Sequence, residues 1–412
     1  MTDAQAVPSP GSGHPAVAHD VVVVGGGNAG ISLAARLRRD GFEDVALVEP
    51  RETHLYRPLL NYVGGGQASM REAARPMASI VPDGVHWYRD QVLAADPHAR
   101  SVTLASGRVL TGRDLVLCPG MEADWDRVPG AREAVMAPTG CSTYVDERAE
   151  HTWELVRGLR QGSAVFVVED GPVGCAGAAL KPLFLAADHW RRTGALDSID
   201  VTLALGWPTV YGLRRVDEVL TAAAERYGIR VVTGARLQSV DAVSGTLRWD
   251  AGQGAEDLHY DLLDLVPRHR APTWVAESGL SGGEVAEPGM VEVDPETLAH
   301  RRYEGVWALG DVADVQASRS GGGLRPQAAV VAENITARRQ GGEYTRYDGY
   351  TTTPITVARD LLTLAEFDRD GRPTPSVPWI DLVRPRRLTW LYDRYLQPQL
   401  YWHGILKGRV SS

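Results

Sequence analysis

The chain has 412 residues, 44% of them hydrophobic and 23% charged, with a net charge of −9 at neutral pH. That length is enough for two or three cores. The acidic balance, with no arginine-rich tract, argues against nucleic acid as the main partner. Three cysteines, Cys118, Cys141 and Cys175, are too few and too irregular for a disulfide scaffold or a zinc site, and point to a reducing compartment.

Residues 1–18 are rich in Pro, Ser, Gly and Ala and carry neither a basic stretch nor an apolar one, so they read as a disordered tail rather than a signal peptide. No apolar run reaches the roughly 18 residues of a spanning helix. At His19 a regular pattern begins. Four valines, Val21 to Val24, run into Gly25, Gly27 and Gly30 with Asn28 and Ala29 between them, which reads as a buried strand, a tight loop and a helix over Ile31–Arg39. The strand Val45–Val48 follows and ends in Glu49 and Pro50, with Glu49 22 positions after Gly27. Glycines of this spacing let the backbone approach a pyrophosphate, the helix N-terminus offers it unpaired N–H groups, and an acid at that distance accepts from a ribose hydroxyl. A bound dinucleotide is the expectation.

Asp114–Leu117 is a short apolar strand leading to Cys118-Pro119-Gly120. A second βαβ-like unit has a strand at Ser163–Val168, a loop with Gly171, Gly174 and Gly177, a helical stretch at Ala178–Arg191, and strands at Val201–Leu205 and Leu262–Val266. Its glycine spacing misses the fingerprint. Its next strand ends in Gly206-Trp207-Pro208, where an acid or a phosphate-binding arginine belongs. A fold of dinucleotide-binding type without its dinucleotide is favoured over a nicotinamide site. Cys175 occupies the loop instead. Near a helix N-terminus it would be held as a thiolate and act as a nucleophile, and a buried structural thiol fits the sequence equally well. Val306–Leu309 then ends in Gly310-Asp311, and Gln327–Arg338 reads as a helix with Pro326 at its first position. The resulting fold class is α/β with two Rossmann-like domains, the second inserted in the first. Dinucleotide binding is expected over 19–150 and 270–343, the second domain over 151–269, and a C-terminal amphipathic region over 344–412.

Ordered along the chain, Val45-Ala-Leu-Val-Glu-Pro50, His54-Leu-Tyr-Arg-Pro-Leu-Leu-Asn-Tyr-Val-Gly-Gly-Gly66, Pro172-Val-Gly-Cys-Ala-Gly-Ala178, Asp294-Pro-Glu-Thr-Leu-Ala-His-Arg-Arg-Tyr303, Tyr347-Asp-Gly-Tyr-Thr351, Leu364-Ala-Glu-Phe-Asp368 and Leu400-Tyr-Trp-His-Gly-Ile-Leu-Lys-Gly408 resemble the sulfide:quinone oxidoreductases, in particular their mitochondrial-type branch. The resemblance implies an oxidoreductase with FAD in the first domain. Gly25, Gly27, Asn28, Ala29 and Gly30 would hold the pyrophosphate, Glu49 and Pro50 the adenosine ribose, and Gly120, Gly310, Asp311 and Gln327 the ribityl and ring edge. Tyr56 and Pro58 would line the isoalloxazine pocket, and Arg319 and Arg325 lie in the same stretch.

In that family a disulfide beside the flavin is opened by sulfide. Cys175 matches one of its cysteines, and Val312 stands where the second belongs. Valine makes neither a disulfide nor a thiolate adduct, so the two-cysteine mechanism cannot run in its usual form. Cys141 matches an auxiliary cysteine of some relatives and is carried as a second catalytic candidate, able to pair with Cys175 if their Cα atoms lie within roughly 7 Å. Cys118 reads as packing.

From Trp379 on, aromatic and aliphatic residues alternate with Arg384, Arg386, Arg387, Arg394, Lys407 and Arg409, which suits either a membrane surface, through residues 379–409, or a cap over the flavin domain. Pro385 and Pro398 should divide it into two short helices. The implied partners are sulfide or another sulfur donor and a membrane quinone, with a cytoplasmic location that extends to peripheral contact at the inner face of the cell membrane. Two other readings stay open: a flavin oxidoreductase recruited to another small-molecule oxidation, and a flavin-binding, membrane-associated protein that has lost catalysis.

Overall fold

The computed structural model describes residues 16–282 and 287–410. Most of the expected N-terminal tail falls outside them, and the first strand, Val17–Val24, begins inside the span assigned to it. This strand is central because its valines can be buried on both faces, as a parallel sheet covered by helices requires. It pairs in parallel with Val45–Val48 on one side and Val109–Leu117 on the other. Val85–Tyr88 extends the sheet beyond Val45–Val48, and Val306–Ala308 returns to pair with Val109–Leu117. The chain thus leaves this sheet and comes back to it, as the sequence pattern implied.

A second parallel sheet runs in the order Gly140–Cys141, Leu262–Val266, Gly162–Val168, Ile199–Leu205, Arg230–Thr233. The strand Gly140–Cys141 belongs to this sheet, although the expected boundary left it with the first domain. Three antiparallel strands from Arg236 to His259 follow. The helical stretch after Cys175 is two pieces, Ala176–Ala179 and Lys181–Thr193, with Pro182 in the first turn of the second.

The last third contains a hairpin that the sequence pattern did not announce, Thr351–Ala358 with Leu361–Phe367. The helix Leu324–Gln340 starts three residues earlier than expected, so Pro326 is its third residue rather than its first. That position is still in the first turn, whose N–H groups lack intrahelical partners, so proline costs little there. The tail is not split at Pro398. Arg387–Leu391, Tyr392–Leu396 and Gln397–His403 run on without a break, the middle segment as a π-turn. A π-turn shifts the hydrogen-bond register, and the proline then falls at the second position of a fresh helical turn.

Candidate functional site: a dinucleotide cradle and a facing thiol

The first glycine loop is built by close backbone contacts. Gly25 has φ of +101°, and a side-chain carbon on it would stand 2.3 Å from Cys118 O. One on Gly30 would stand 1.8 Å from Gly25 O. Both positions therefore require glycine. At Gly27 no atom lies within 4 Å of that direction, so the loop keeps one open face at the start of the helix Asn28–Arg39. Gly27 provides no side-chain cap, which leaves the first-turn N–H groups to an incoming anion. Glu49 is buried, its Oε2 accepting from Gly26 N at 2.8 Å and its Oε1 from Arg51 N at 2.9 Å. Each oxygen keeps a lone pair for a ribose hydroxyl. These residues fit the adenosine and pyrophosphate parts of FAD.

Two residues outside the glycine motif complete this end. His54 Nδ1 lies 3.0 Å from Gly26 O and its Nε2 2.6 Å from Tyr401 Oη, tying the loop to the C-terminal segment. Burial, with Arg51 and Arg57 adding to it, lowers the His54 pKa to about 4, so the ring is neutral. Tyr401 also packs against Tyr56, the rings tilted by 36° at 4.3 Å between centroids. The tail's aromatic residues are thus partly a cap over the cradle, with Tyr401, Trp402, Ile405 and Leu406 in the first core. Pro58 opens the short helix that follows Tyr56.

Where the resemblance expects the flavin ring, Gly310 takes φ of +78°, and its N–H donates to Gln327 Oε1 at 2.9 Å. Asp311 follows. Burial pushes its carboxyl pKa up while Arg319 and Arg57 pull it down. Arg319 donates from Nε to Asp311 O and pairs with Glu287, so it braces this turn instead of lying free in solvent. Val312 is fully buried, and its carbonyl accepts from Val291 N at 2.9 Å. It packs the core beneath the turn.

The second glycine loop faces the same turn. A side-chain carbon on Gly174 would stand 2.9 Å from Asp311 Oδ2, which sets the Cys175 loop against the Gly310-Asp311 corner. Unlike Gly27, this loop has no open glycine. A side-chain carbon on Gly171 would meet the Arg268 guanidinium at 2.9 Å, and one on Gly177 would meet Thr353 Oγ1 at 1.9 Å. Cys175 itself adopts φ of 80°, left-handed backbone that residues other than glycine rarely occupy, and Tyr144 Oη donates to its carbonyl at 2.7 Å. Strain held by a specific hydrogen bond is a mark of functional positions.

Of the two states the sequence left open for Cys175, a dipole-stabilised thiolate or a buried thiol, the structure favours the second in its pKa. Burial raises it, outweighing the opposing pull of the Ala178 N–H and Lys181. The helix that Cys175 caps has four residues, too short a dipole to overcome desolvation. All three cysteines are free. Cys141 is fully buried, its Sγ 3.4 Å from Leu263 O and 3.7 Å from Asp264 Oδ2, and it forms no disulfide with Cys175. Burial, with the Asp264 charge beside it, holds its thiol protonated.

Near Cys175 lies a constellation that no sequence motif marked. Lys181 and Asp393 form a buried ion pair at 2.8 Å, and Tyr62 Oη donates to the same carboxylate oxygen at 2.6 Å. Asp393 comes from the π-turn, 212 positions from Lys181, so no local pattern signals the pair. Arg394, expected on a basic surface, is buried as well and donates to Gln67 O and Glu72. Leu388 and Leu391 on the preceding helix, Tyr395 and Leu396 on the turn itself, and Trp379 are exposed. Among the described residues no helix is long and apolar enough to cross a membrane.

Comparison with known proteins agrees with this geometry. The family model of the pyridine nucleotide-disulphide oxidoreductases matches residues 19–336. The mitochondrial sulfide:quinone oxidoreductase of Dictyostelium discoideum is 30% identical over 94% of this chain and 86% of its own, and that of Mus musculus is 29% identical over 95% and 87%. The solved sulfide:quinone oxidoreductase of Aquifex aeolicus superposes with a TM-score of 0.80 at 17% identity, over 96% of this chain and 93% of its own. Both the cradle and the overall match point the same way: the chain is an FAD-dependent oxidoreductase belonging to the pyridine nucleotide-disulphide oxidoreductase family, in its sulfide:quinone oxidoreductase branch.

Proposed function

We propose that this protein takes two electrons from sulfide, or from another small sulfur donor, and passes them through FAD to a membrane quinone. The observation that carries the reading is the contact between the Cys175 loop and the Gly310-Asp311 turn, Gly174 against Asp311. It sets the thiol beside the residues that fit the flavin end of the cofactor. FAD, when bound, supplies the two-electron exchange. Gly25, Gly27, Gly30 and Glu49 would hold its adenosine half, and Gly310, Asp311, Gln327, Tyr56 and Pro58 its flavin half. Cys175 would take the sulfur as a persulfide, its S–S bond forming as two electrons leave for the bound FAD and two protons for solvent. Lys181 favours the anionic form of whatever sulfur Cys175 carries, and Tyr144 holds the loop in its strained conformation.

With Val312 in place of a second thiol and Cys141 engaged elsewhere, Cys175 works alone. The sulfane sulfur therefore leaves to an external thiol. The exposed apolar side chains of residues 379–409, flanked by Arg384 and Arg387, support peripheral contact with the cytoplasmic face of a membrane, where a quinone is reached. A specific observation favours a second reading: Val312 is a core residue with no polar function, which suits a flavin oxidoreductase recruited to another small-molecule donor.

Anaerobic mixing of the holoprotein with sulfide, a persulfide or NADH separates these readings. Sulfide should bleach the flavin in the native protein and fail to do so in Cys175→Ser, and a short-chain quinone should restore the colour. Bleaching by NADH alone would overturn the assignment of the donor.

A further inference from the structure

The geometry points to a second site at the opposite end of the first sheet from the nucleotide: a divalent transition-metal site of the zinc class formed by His19, Asp44 and His86. Three adjacent parallel strands bring these residues together. His19 is near the start of Val17–Val24, Asp44 immediately precedes Val45–Val48, and His86 is the second residue of Val85–Tyr88. Register fixes their neighbourhood, with Val21 opposite Val45 and Ala46 opposite His86. The Asp44 carbonyl is pinned to the central strand by accepting from Val21 N at 3.2 Å.

One ligand atom from each side chain falls within 4.8 Å of the other two. His19 Nδ1 is 2.6 Å from Asp44 Oδ1, and His86 Nε2 is 3.6 Å from the same oxygen. Metal bonds of about 2.0–2.2 Å in a tetrahedron place ligand atoms roughly 3.3 Å apart, a value these two distances bracket. Two imidazoles and one carboxylate form a ligand set suited to zinc, nickel or copper, and poorly suited to magnesium.

A further contact supports the assignment. The other nitrogen of His19, Nε2, lies 2.8 Å from Tyr88 Oη. With Nε2–H donating to Tyr88, the Nδ1 lone pair faces the cluster, the arrangement by which outer partners orient metal-bound histidines. His19 is buried, which sets its ring, while His86 and Asp44 have side chains 59% and 42% exposed, which leaves an entry path and room for a water as fourth ligand. Bound there, the ion would clamp the amino ends of three strands whose carboxyl ends carry the Gly25–Gly30 loop and Glu49. No covalent bond is made or broken; the ion takes the His19 Nδ1 lone pair and an Asp44 carboxylate oxygen, and any proton on Nδ1 leaves to solvent.

The test uses the full-length holoprotein, freed of metal with EDTA and titrated with Zn2+ by calorimetry. Cys175→Ser serves as a parallel sample, because a thiol also binds zinc. We expect one equivalent in both, a melting temperature that rises with added Zn2+, and no rise with Mg2+. His86→Ala should abolish the equivalent, and Tyr88→Phe should weaken it by about 10–100-fold. X-ray absorption at the zinc edge should then show nitrogen and oxygen neighbours only. Absence of binding, an unchanged equivalent in His86→Ala, or a sulfur neighbour near 2.3 Å would overturn the proposal.

Discussion

The two glycine loops follow the same local plan, a buried parallel strand turning into a helix, yet they end in opposite surfaces. In the first, Gly25 and Gly30 serve close backbone approach, Gly26 packs against Glu49, and Gly27 faces open space. In the second, Gly171, Gly174 and Gly177 all meet protein atoms, and the one residue with side-chain chemistry, Cys175, takes a left-handed conformation that glycine would adopt more readily. A phosphate needs backbone N–H groups with nothing in front of them; a reactive thiol needs a walled position and a fixed direction. The same βαβ start supplies either, depending on whether its glycines face outward or inward.

The sharpest way to break this comparison is to close the first loop. Gly30→Ala places a carbon 1.8 Å from Gly25 O, a backbone atom that cannot step aside. The variant should purify colourless and take up no FAD, as read by flavin absorbance and by fluorescence titration. Retention of full flavin content would mean that the loop does not hold the cofactor.

A smaller effect is expected from the second loop. Gly177→Ala puts a carbon 1.9 Å from Thr353 Oγ1, the end of a short side chain on the hairpin strand Thr351–Ala358. Flavin content should survive, and stability should fall by about 1–3 kcal/mol from overpacking, measured by thermal or urea unfolding. Gly177→Ala with Thr353→Ala should recover much of that loss, since the two sites share one contact. Additive losses would show that the hairpin does not wall the thiol loop.

How far the sequence carried these inferences differs between the loops for the same reason. Gly25, Gly27, Gly30 and Glu49 lie within 25 positions; the glycines owe their roles to backbone geometry and Glu49 to its carboxylate, and residue type announces both. The Lys181–Asp393 pair and the Tyr401–His54 link join positions 212 and 347 apart, and nothing in either neighbourhood marks them. The hairpin was missed because Pro354 interrupts the apolar alternation, although in a two-stranded sheet a strand has a free side that tolerates proline. Arg394 shows the limit of reading charge as surface: its guanidinium is satisfied by Gln67 O and Glu72, partners known only after folding. For Cys175 the sequence identified the residue and left its state open between thiolate and buried thiol, because a dipole can be read from a pattern and desolvation cannot.

That last difference leads to the subtlest prediction. A thiol held as thiolate would alkylate at a rate nearly independent of pH above neutrality. The Cys175 pKa is instead raised above its ordinary value of 9.0, so the thiol is protonated at neutral pH and only a small fraction reacts. Its iodoacetamide rate should climb about tenfold per pH unit from pH 7 to 9, because each unit multiplies the thiolate fraction by ten until the pKa is reached. Cys141 and Cys118, both buried with raised pKa values, should stay unlabelled on the same timescale, as followed by peptide mass spectrometry. Removing the Lys181 ammonium with Lys181→Met should slow Cys175 further at any given pH, since that charge opposes the upward shift. A flat profile from pH 6 to 9 would mean that the loop stabilises the anion after all, and the two glycine loops would then share anion binding as well as their local plan.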